Sequence, residues 1–200
     1  IRISLIQGNR DPNEKWNGDV KESNYLIYEE MTKQALAEEP DLVVWPETAM
    51  PFYVRSERQY LQRINSLIDS ADVSLITGAL DYEYLEDGSY EHFNSVFLIE
   101  SKYYAVQRYA KMKMVPFSER VPYKDYFPFN VLKDLLWDLG LGDYALGSQI
   151  IALTGRFGIE PNEQRHDSTR VYQTAVAICY ESVFPDHVRK YVNKGADFLI

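Results

Sequence analysis

Apolar and polar positions along this chain repeat with two periods, and the switches between them mark out its elements. Ile1, Ile3 and Leu5 alternate with polar residues before Gln7-Gly8-Asn9, which predicts a first strand and its exit turn. From Asn24 to Glu38, Ile27, Met31 and Ala35 recur every four residues, the spacing of a helix with one apolar face. Leu42-Val43-Val44-Trp45 then reads as a short buried strand halted by Pro46, completing a βαβ unit. Ser56 and Gln59 form a capping-box pattern ahead of Leu61, Ile64 and Ile68, so a second helix is predicted to run to Ser70. A strand from Val73 to Thr77, ended by Gly78, follows it.

Asp87-Gly88 between two alternating, aromatic-rich runs is a hairpin signal, and strand continues through Ser95 to Ile99 and Tyr103 to Arg108. Antiparallel ribbon is therefore expected to join a parallel sheet. Residues 111 to 122 carry two prolines and no clean period, the pattern of an extended loop. Residues 123–170 are the least regular part. Asn130 is placed to cap a helix carrying Val131, Leu132, Leu135, Leu136 and Leu139, and Arg156 to Arg170 reads as a polar loop. Further on, Thr174 to Ile178 is an unbroken apolar run that predicts a buried parallel strand, turning sharply after Cys179 into a helix with Val188 and Val192. Phe198 opens another strand.

Composition narrows the class. A chain of 200 residues with 46% apolar content suffices for one domain with a sizeable core. The net charge of −9, without a block of Lys or Arg, argues against nucleic acid as a partner and against electrostatic attachment to anionic lipid. One cysteine excludes an internal disulfide. No apolar run reaches the roughly eighteen residues of a membrane span, and no signal peptide is present. The chain starts at Ile1 and stops within the apolar run ending at Ile200, which reads as a piece of something longer.

That single thiol is the first candidate for chemistry, because the carboxyl ends of strands in open α/β sheets are where reacting groups sit. A lone Cys is by default a small buried hydrophobe, so its partners decide. With a free pKa of about 8.5, a thiol needs a base and a positive neighbour to react at neutral pH. His92, His166 and His187 are poorly placed by sequence, and no papain-type signature surrounds Cys179, which weakens a Cys–His protease reading. Glu47 follows Val43-Val44-Trp45-Pro46 and should emerge at a strand's carboxyl end, as a general base or as an exposed loop residue. Lys111 follows another strand. Taken alone it reads as a solvated charge beside Lys113 and Arg108.

Three stretches share one pattern. Trp45-Pro46-Glu47-Thr48, Tyr109-Ala110-Lys111 leading into Val115-Pro116-Phe117-Ser118-Glu119-Arg120-Val121-Pro122, and Ile178-Cys179-Tyr180-Glu181 with Phe184-Pro185 resemble the nitrilase superfamily of carbon–nitrogen hydrolases. The flanks of Glu119 and Cys179, the Gln7-Gly8-Asn9 opening and Asn94-Ser95 are similar to its apolipoprotein N-acyltransferase branch. Ser118 stands where that branch would have Gly, and the likeness weakens across 123–170.

The resemblance implies an α-β-β-α sandwich, C-terminally incomplete, with residues 1–200 as one catalytic domain and 123–170 as an inserted arm or loop region. It implies Cys179 as nucleophile, Glu47 as general base and Lys111 as the cation on the oxyanion, with Glu119, Glu181 and Tyr180 in support. Trp45, Phe117 and Trp137 are expected substrate contacts. The implied reaction moves a fatty acyl chain from a phospholipid, through a cysteine thioester, to the amine of a diacylglyceryl-cysteine lipoprotein, and calls for no metal or other cofactor. It also implies a bacterial inner-membrane enzyme with its catalytic domain on the extracytoplasmic side, held by helices preceding this chain. The apolar stretch 123–145 is expected to dip into the membrane interface as an arm beside the site. Two alternatives stand beside this reading: a soluble carbon–nitrogen hydrolase using the same three residues, and a binding module of the same fold.

Overall fold

The computed structural model describes residues 1–10, 21–103, 106–116, 118–120, 144–159 and 169–200. Its strands are β1 (Ile3–Leu5), β2 (Leu42–Val44), β3 (Met50–Tyr53), β4 (Ser74–Tyr84), β5 (Tyr90–Ile99), β6 (Val106–Ala110), β7 (Leu153–Ile159), β8 (Thr169–Ala175) and β9 (Phe198–Leu199). Its helices are α1 (Lys21–Ala35), α2 (Arg58–Asp69) and α3 (Pro185–Asn193). One sheet has the order β1-β2-β4-β5-β6, with β3 also paired to β4; the second has the order β7-β8-β9. In the first, β1, β2 and β4 are parallel and β4, β5 and β6 antiparallel, so the expected join of parallel sheet and antiparallel ribbon is present.

Two cores separate the layers. On one face of the first sheet, Val43, Leu75, Phe97 and Ile99 pack with Tyr25 and Tyr28 of α1 and Tyr60, Ile64 and Ile68 of α2. Its other face sends Leu42, Val44, Ile76, Val96, Leu98 and Tyr109 against Leu153, Phe157, Ala175 and Ile178 of the second sheet and its exit, with Tyr191 from α3. Side chains of successive strand residues point to opposite faces, so Leu42 and Val44 enter one core while Val43 enters the other. The layered α/β architecture expected from the sequence is the one observed.

Several local expectations change. The buried stripe of α1 is Asn24, Tyr25, Tyr28 and Thr32 rather than Ile27, Met31 and Ala35, because the helix closes over Trp45. Tyr28 stacks on that indole, Tyr25 meets its edge, and Thr32 Oγ1 accepts its N–H at 2.8 Å. The Ser56 capping box does not form: α2 starts at Arg58, and the Ser56 hydroxyl instead donates to Tyr82. β4 runs through Gly78 to Tyr84 instead of ending there. Strands β3 and β7 lie where none was expected, and β7 takes in the first residues, 156–159, of the stretch read as polar loop. The strand before the cysteine ends at Ala175, pairs antiparallel with β7 and is parallel only to β9. The expected helix at 131–139 and the arm at 123–145 lie outside the described residues, apart from 144 and 145.

Candidate active site

Three strands deliver one chemical group each just beyond their carboxyl ends. After β2, Trp45 and Pro46 turn the chain so that Glu47 leaves the sheet, with Thr48 in left-handed backbone at φ 46°. This turn lies directly on β4, where a Cβ added to Gly78 would come within 2.6 Å of the Glu47 Cα and the Thr48 nitrogen. Only glycine permits that approach, which is why β4 carries one in mid-strand. Asn94 on β5 donates its amide N–H to Glu47 Oε1 at 2.7 Å, orienting the carboxylate.

Lys111 follows β6 immediately and is fully buried. Its peptide N–H donates to the Asn94 carbonyl, and its own carbonyl accepts from the Gly147 N–H at 2.8 Å. Gly147 lies so close that a Cβ there would fall 2.1 Å from the Ala110 carbonyl oxygen. The ammonium reaches Glu119 Oε1 at 2.6 Å and Glu47 Oε1 at 3.3 Å. The other Glu119 oxygen accepts the Val115 N–H at 2.8 Å, so the loop after Lys111 folds back to supply its counter-charge. Burial disfavours an ammonium, but Glu119 and Glu47 outweigh it and hold the Lys111 pKa above its ordinary value. Lys111 therefore stays cationic at physiological pH.

Cys179 opens a 3-10 turn, Cys179–Val183, at φ 50°, a left-handed conformation that costs a non-glycine residue about 1–3 kcal/mol. It is exposed, and the Ser182 hydroxyl donates to its carbonyl at 2.8 Å. Partial loss of hydration, with the nearby negative charge of Glu47, pushes the thiol pKa up, while Lys111 and the Tyr180 peptide N–H pull it down. The net shift is upward. The resting group is a protonated thiol beside a carboxylate able to receive its proton, which suits a base-assisted nucleophile better than a preformed thiolate.

This electrostatic balance gives a measurable expectation. Alkylation of Cys179 by iodoacetamide should follow a pH profile whose midpoint lies above the ordinary thiol value of about 8.5. Glu47→Gln removes the negative neighbour and should lower the midpoint, whereas Lys111→Ala removes the positive one and should raise it. Labelling rates followed by intact mass across pH 6 to 11 check both directions, and identical midpoints in all three proteins would separate these groups electrostatically.

The remaining sequence candidates find different places. Glu181 is fully buried and acts as a brace. Its Oε1 accepts Tyr109 Oη at 2.7 Å and the N–H groups of Met112 and Lys113 at 2.7 and 3.1 Å, while Oε2 accepts the Ile178 N–H at 2.9 Å. One carboxylate thus ties the chain after Lys111 to the residue before Cys179. His187 completes this cluster at 3.2 Å from the Tyr109 hydroxyl, and burial holds its pKa down. The peptide N–H of Tyr180 favours the thiolate form of Cys179, and the Tyr180 ring packs edge-on to Phe184. Trp45, expected as a substrate contact, is 2% exposed, packed in the core under α1 with its indole N–H on Thr32. Phe117 and Trp137 lie outside the described residues.

Sequence reading missed Asn94 as a site group, and Tyr144. The Tyr144 N–H donates to the Glu119 carbonyl at 3.1 Å, and burial together with Glu119, Tyr53 and Glu47 pushes its phenol up to about 12. Neighbouring Ala145 donates to the His92 carbonyl, so residues 144 to 147 line the site from Glu119 to Lys111. Among the described residues, no three His, Cys, Asp or Glu side chains are grouped to hold a metal ion, and no helix is long and apolar enough to cross a membrane.

This fold and site place the chain in a known class: residues 2–200 match the carbon–nitrogen hydrolase family, and the chain belongs to it. Among curated relatives, an apolipoprotein N-acyltransferase of Geobacter metallireducens is 35% identical across 100% of this chain and 35% of its own length. One from Chlorobaculum tepidum is 32% identical, again across 100% of this chain and 38% of its own. The chain therefore spans little more than a third of these relatives. Solved structures share the fold at lower identity. A carbon–nitrogen hydrolase from Helicobacter pylori G27 superposes with a TM-score of 0.62 at 15% identity, covering 100% of this chain and 58% of that one. An amidase from Nesterenkonia sp. AN1, solved after Michael addition of acrylamide at its active-site cysteine, gives 0.60 at 14% identity, with 100% and 65% covered.

Proposed function

We propose that this chain is the catalytic domain of an apolipoprotein N-acyltransferase, working by a Glu47-Lys111-Cys179 triad and a thioester intermediate. The observation that carries the reading is the buried Lys111 ammonium held between Glu47 and Glu119, with its charge and that of Glu47 both acting on the Cys179 thiol. The names of the curated relatives supply the substrate class.

The steps follow from these positions. Glu47 takes the thiol proton as sulfur attacks the ester carbonyl carbon of a phospholipid, forming the C–S bond. Lys111 Nζ and the Tyr180 N–H bear the tetrahedral oxyanion, the role in which preorganised donors are worth most. Collapse breaks the bond to the glycerol oxygen, and Glu47 returns its proton to that oxygen as the lysophospholipid leaves. The neutral amine of a diacylglyceryl-cysteine then attacks the thioester. Glu47 accepts the amine proton, the C–S bond breaks, and the proton returns to sulfur. On this reading the enzyme acts at the bacterial inner membrane, with this domain on the extracytoplasmic side.

The amidases among the structural neighbours favour a second reading, amide hydrolysis by the same residues with water as acceptor. Incubating the full-length protein with phospholipid and a diacylglyceryl-cysteine peptide separates the two. Acyl transfer to the peptide, seen by mass spectrometry, supports the acyltransferase; release of ammonia from simple amides without transfer supports the hydrolase.

A further inference from the structure

Strands β4 and β5 continue beyond the active site as a two-stranded ribbon. The register pairs Leu80 with Asn94, Tyr82 with His92 and Tyr84 with Tyr90, and side-chain alternation puts all six on one face. Asn94 is bonded to Glu47, so this face begins at the proposed general base and runs outward along the ribbon. Tyr53 of β3 joins it, its ring stacked on His92 with its hydroxyl 2.9 Å from Nδ1, and its edge against Tyr82 at 5.0 Å. Tyr82 then meets Tyr84 at 5.4 Å and Tyr90 at 6.3 Å, and Tyr90 meets His92 at 5.0 Å. The rings form one surface from the catalytic carboxylate to the ribbon tip.

That surface is open at its outer end. Tyr84 is 72% exposed, Tyr90 57% and the adjoining Leu85 43%. Single exposed apolar residues need no explanation, but a contiguous aromatic patch leading into an active site marks a contact surface. Its charge selects the occupant. Glu86 and Asp87 are exposed at the tip, while Glu83 and Glu91 lie on the opposite face of the ribbon, Glu83 held by Arg108. Such a fringe repels a phosphodiester headgroup and attracts cationic groups, which also sit favourably over tyrosine faces. Tyrosine supplies rigid area with a hydrogen-bonding end, the combination that suits polypeptide contact.

We propose that this tyrosine face of the β4–β5 ribbon docks the polypeptide of the acceptor, the residues that follow the reacting amine, and favours basic side chains among them. The inference rests on the acyltransferase reading. From Asn94 to Tyr90 the strand advances about 13 Å, enough for about four extended residues of acceptor.

The test uses the full-length enzyme, a phospholipid donor and two acceptors: diacylglyceryl-cysteine amide with nothing following, and the same group with a five-residue tail carrying two lysines. Tyr84→Ala/Tyr90→Ala should raise KM for the tailed acceptor about tenfold, the scale of losing interface anchors. It should leave the short acceptor and the rate of thioester formation unchanged. Glu86→Lys, which alters only an exposed side chain at the tip, should weaken binding of the lysine-tailed acceptor severalfold and favour a third acceptor whose tail carries aspartates in their place. Equal effects on both acceptors, no effect on either, or slowed thioester formation would overturn the inference, the last by assigning the face to lipid. Failure of the unsubstituted enzyme to acylate either acceptor would overturn the acyltransferase reading and the inference with it.

Discussion

Replacing Cys179 with alanine is expected to lower acyl transfer by a factor on the order of 10⁴ or more, the scale seen when a covalent nucleophile is deleted. Cys179 is the only thiol in these 200 residues, so no other thiol of this domain can take over. Its backbone conformation adds a second expectation, for stability. The residue sits at φ 50°, which alanine adopts at a cost and glycine does not. Cys179→Gly should therefore be as inactive as Cys179→Ala yet more stable by about 1 kcal/mol. Urea unfolding of the two variants, alongside the transfer assay, checks both halves. Residual transfer of a few per cent in either variant would remove Cys179 from the mechanism.

Lys111→Arg is expected to be nearly as damaging as Lys111→Ala, with turnover falling about 10²- to 10³-fold in each, the range for loss of one oxyanion donor. Lys111 is fully buried, and its compact ammonium fills the space between Glu119 at 2.6 Å and Glu47 at 3.3 Å. A planar guanidinium is larger and presents its donors as a rigid fork, so it cannot place one nitrogen beside both carboxylates and the oxyanion. Preserving charge is not enough. Initial rates of transfer for the two variants decide the matter, and near-normal turnover in the arginine variant would reduce Lys111 to a source of positive potential.

How much of this was legible follows from where the information sits along the chain. Glu47, Lys111 and Cys179 stand just after apolar or alternating runs, and strand ends are visible in such patterns. Their juxtaposition was not visible in periodicity and entered through motif flanks. β3 escaped because Pro51 lies within it and it follows Pro46, so it reads as loop while pairing with the outer part of β4. β7 escaped because Thr154, Gly155 and Arg156 dilute its pattern, leaving Leu153 and Phe157 as its buried anchors. Gly78 read as a strand end because sequence cannot show that the Glu47 turn rests on it. The partners of Trp45 and Glu181 were not legible for one reason: sequence does not show the direction of a side chain. The backbone turns after Trp45, sending its indole under α1, and Glu181 points back to residues about seventy positions earlier.

The central claim is that Cys179 carries the acyl chain while Glu47 and Lys111 make and support that bond. Intact mass measurement of the full-length enzyme after incubation with a phospholipid, without acceptor, tests it most directly. The account predicts one added acyl group, mapped to the peptide containing Cys179, labile to hydroxylamine and discharged by a diacylglyceryl-cysteine peptide. An acyl group on another residue, or one that persists in the Cys179→Ala enzyme, would contradict it.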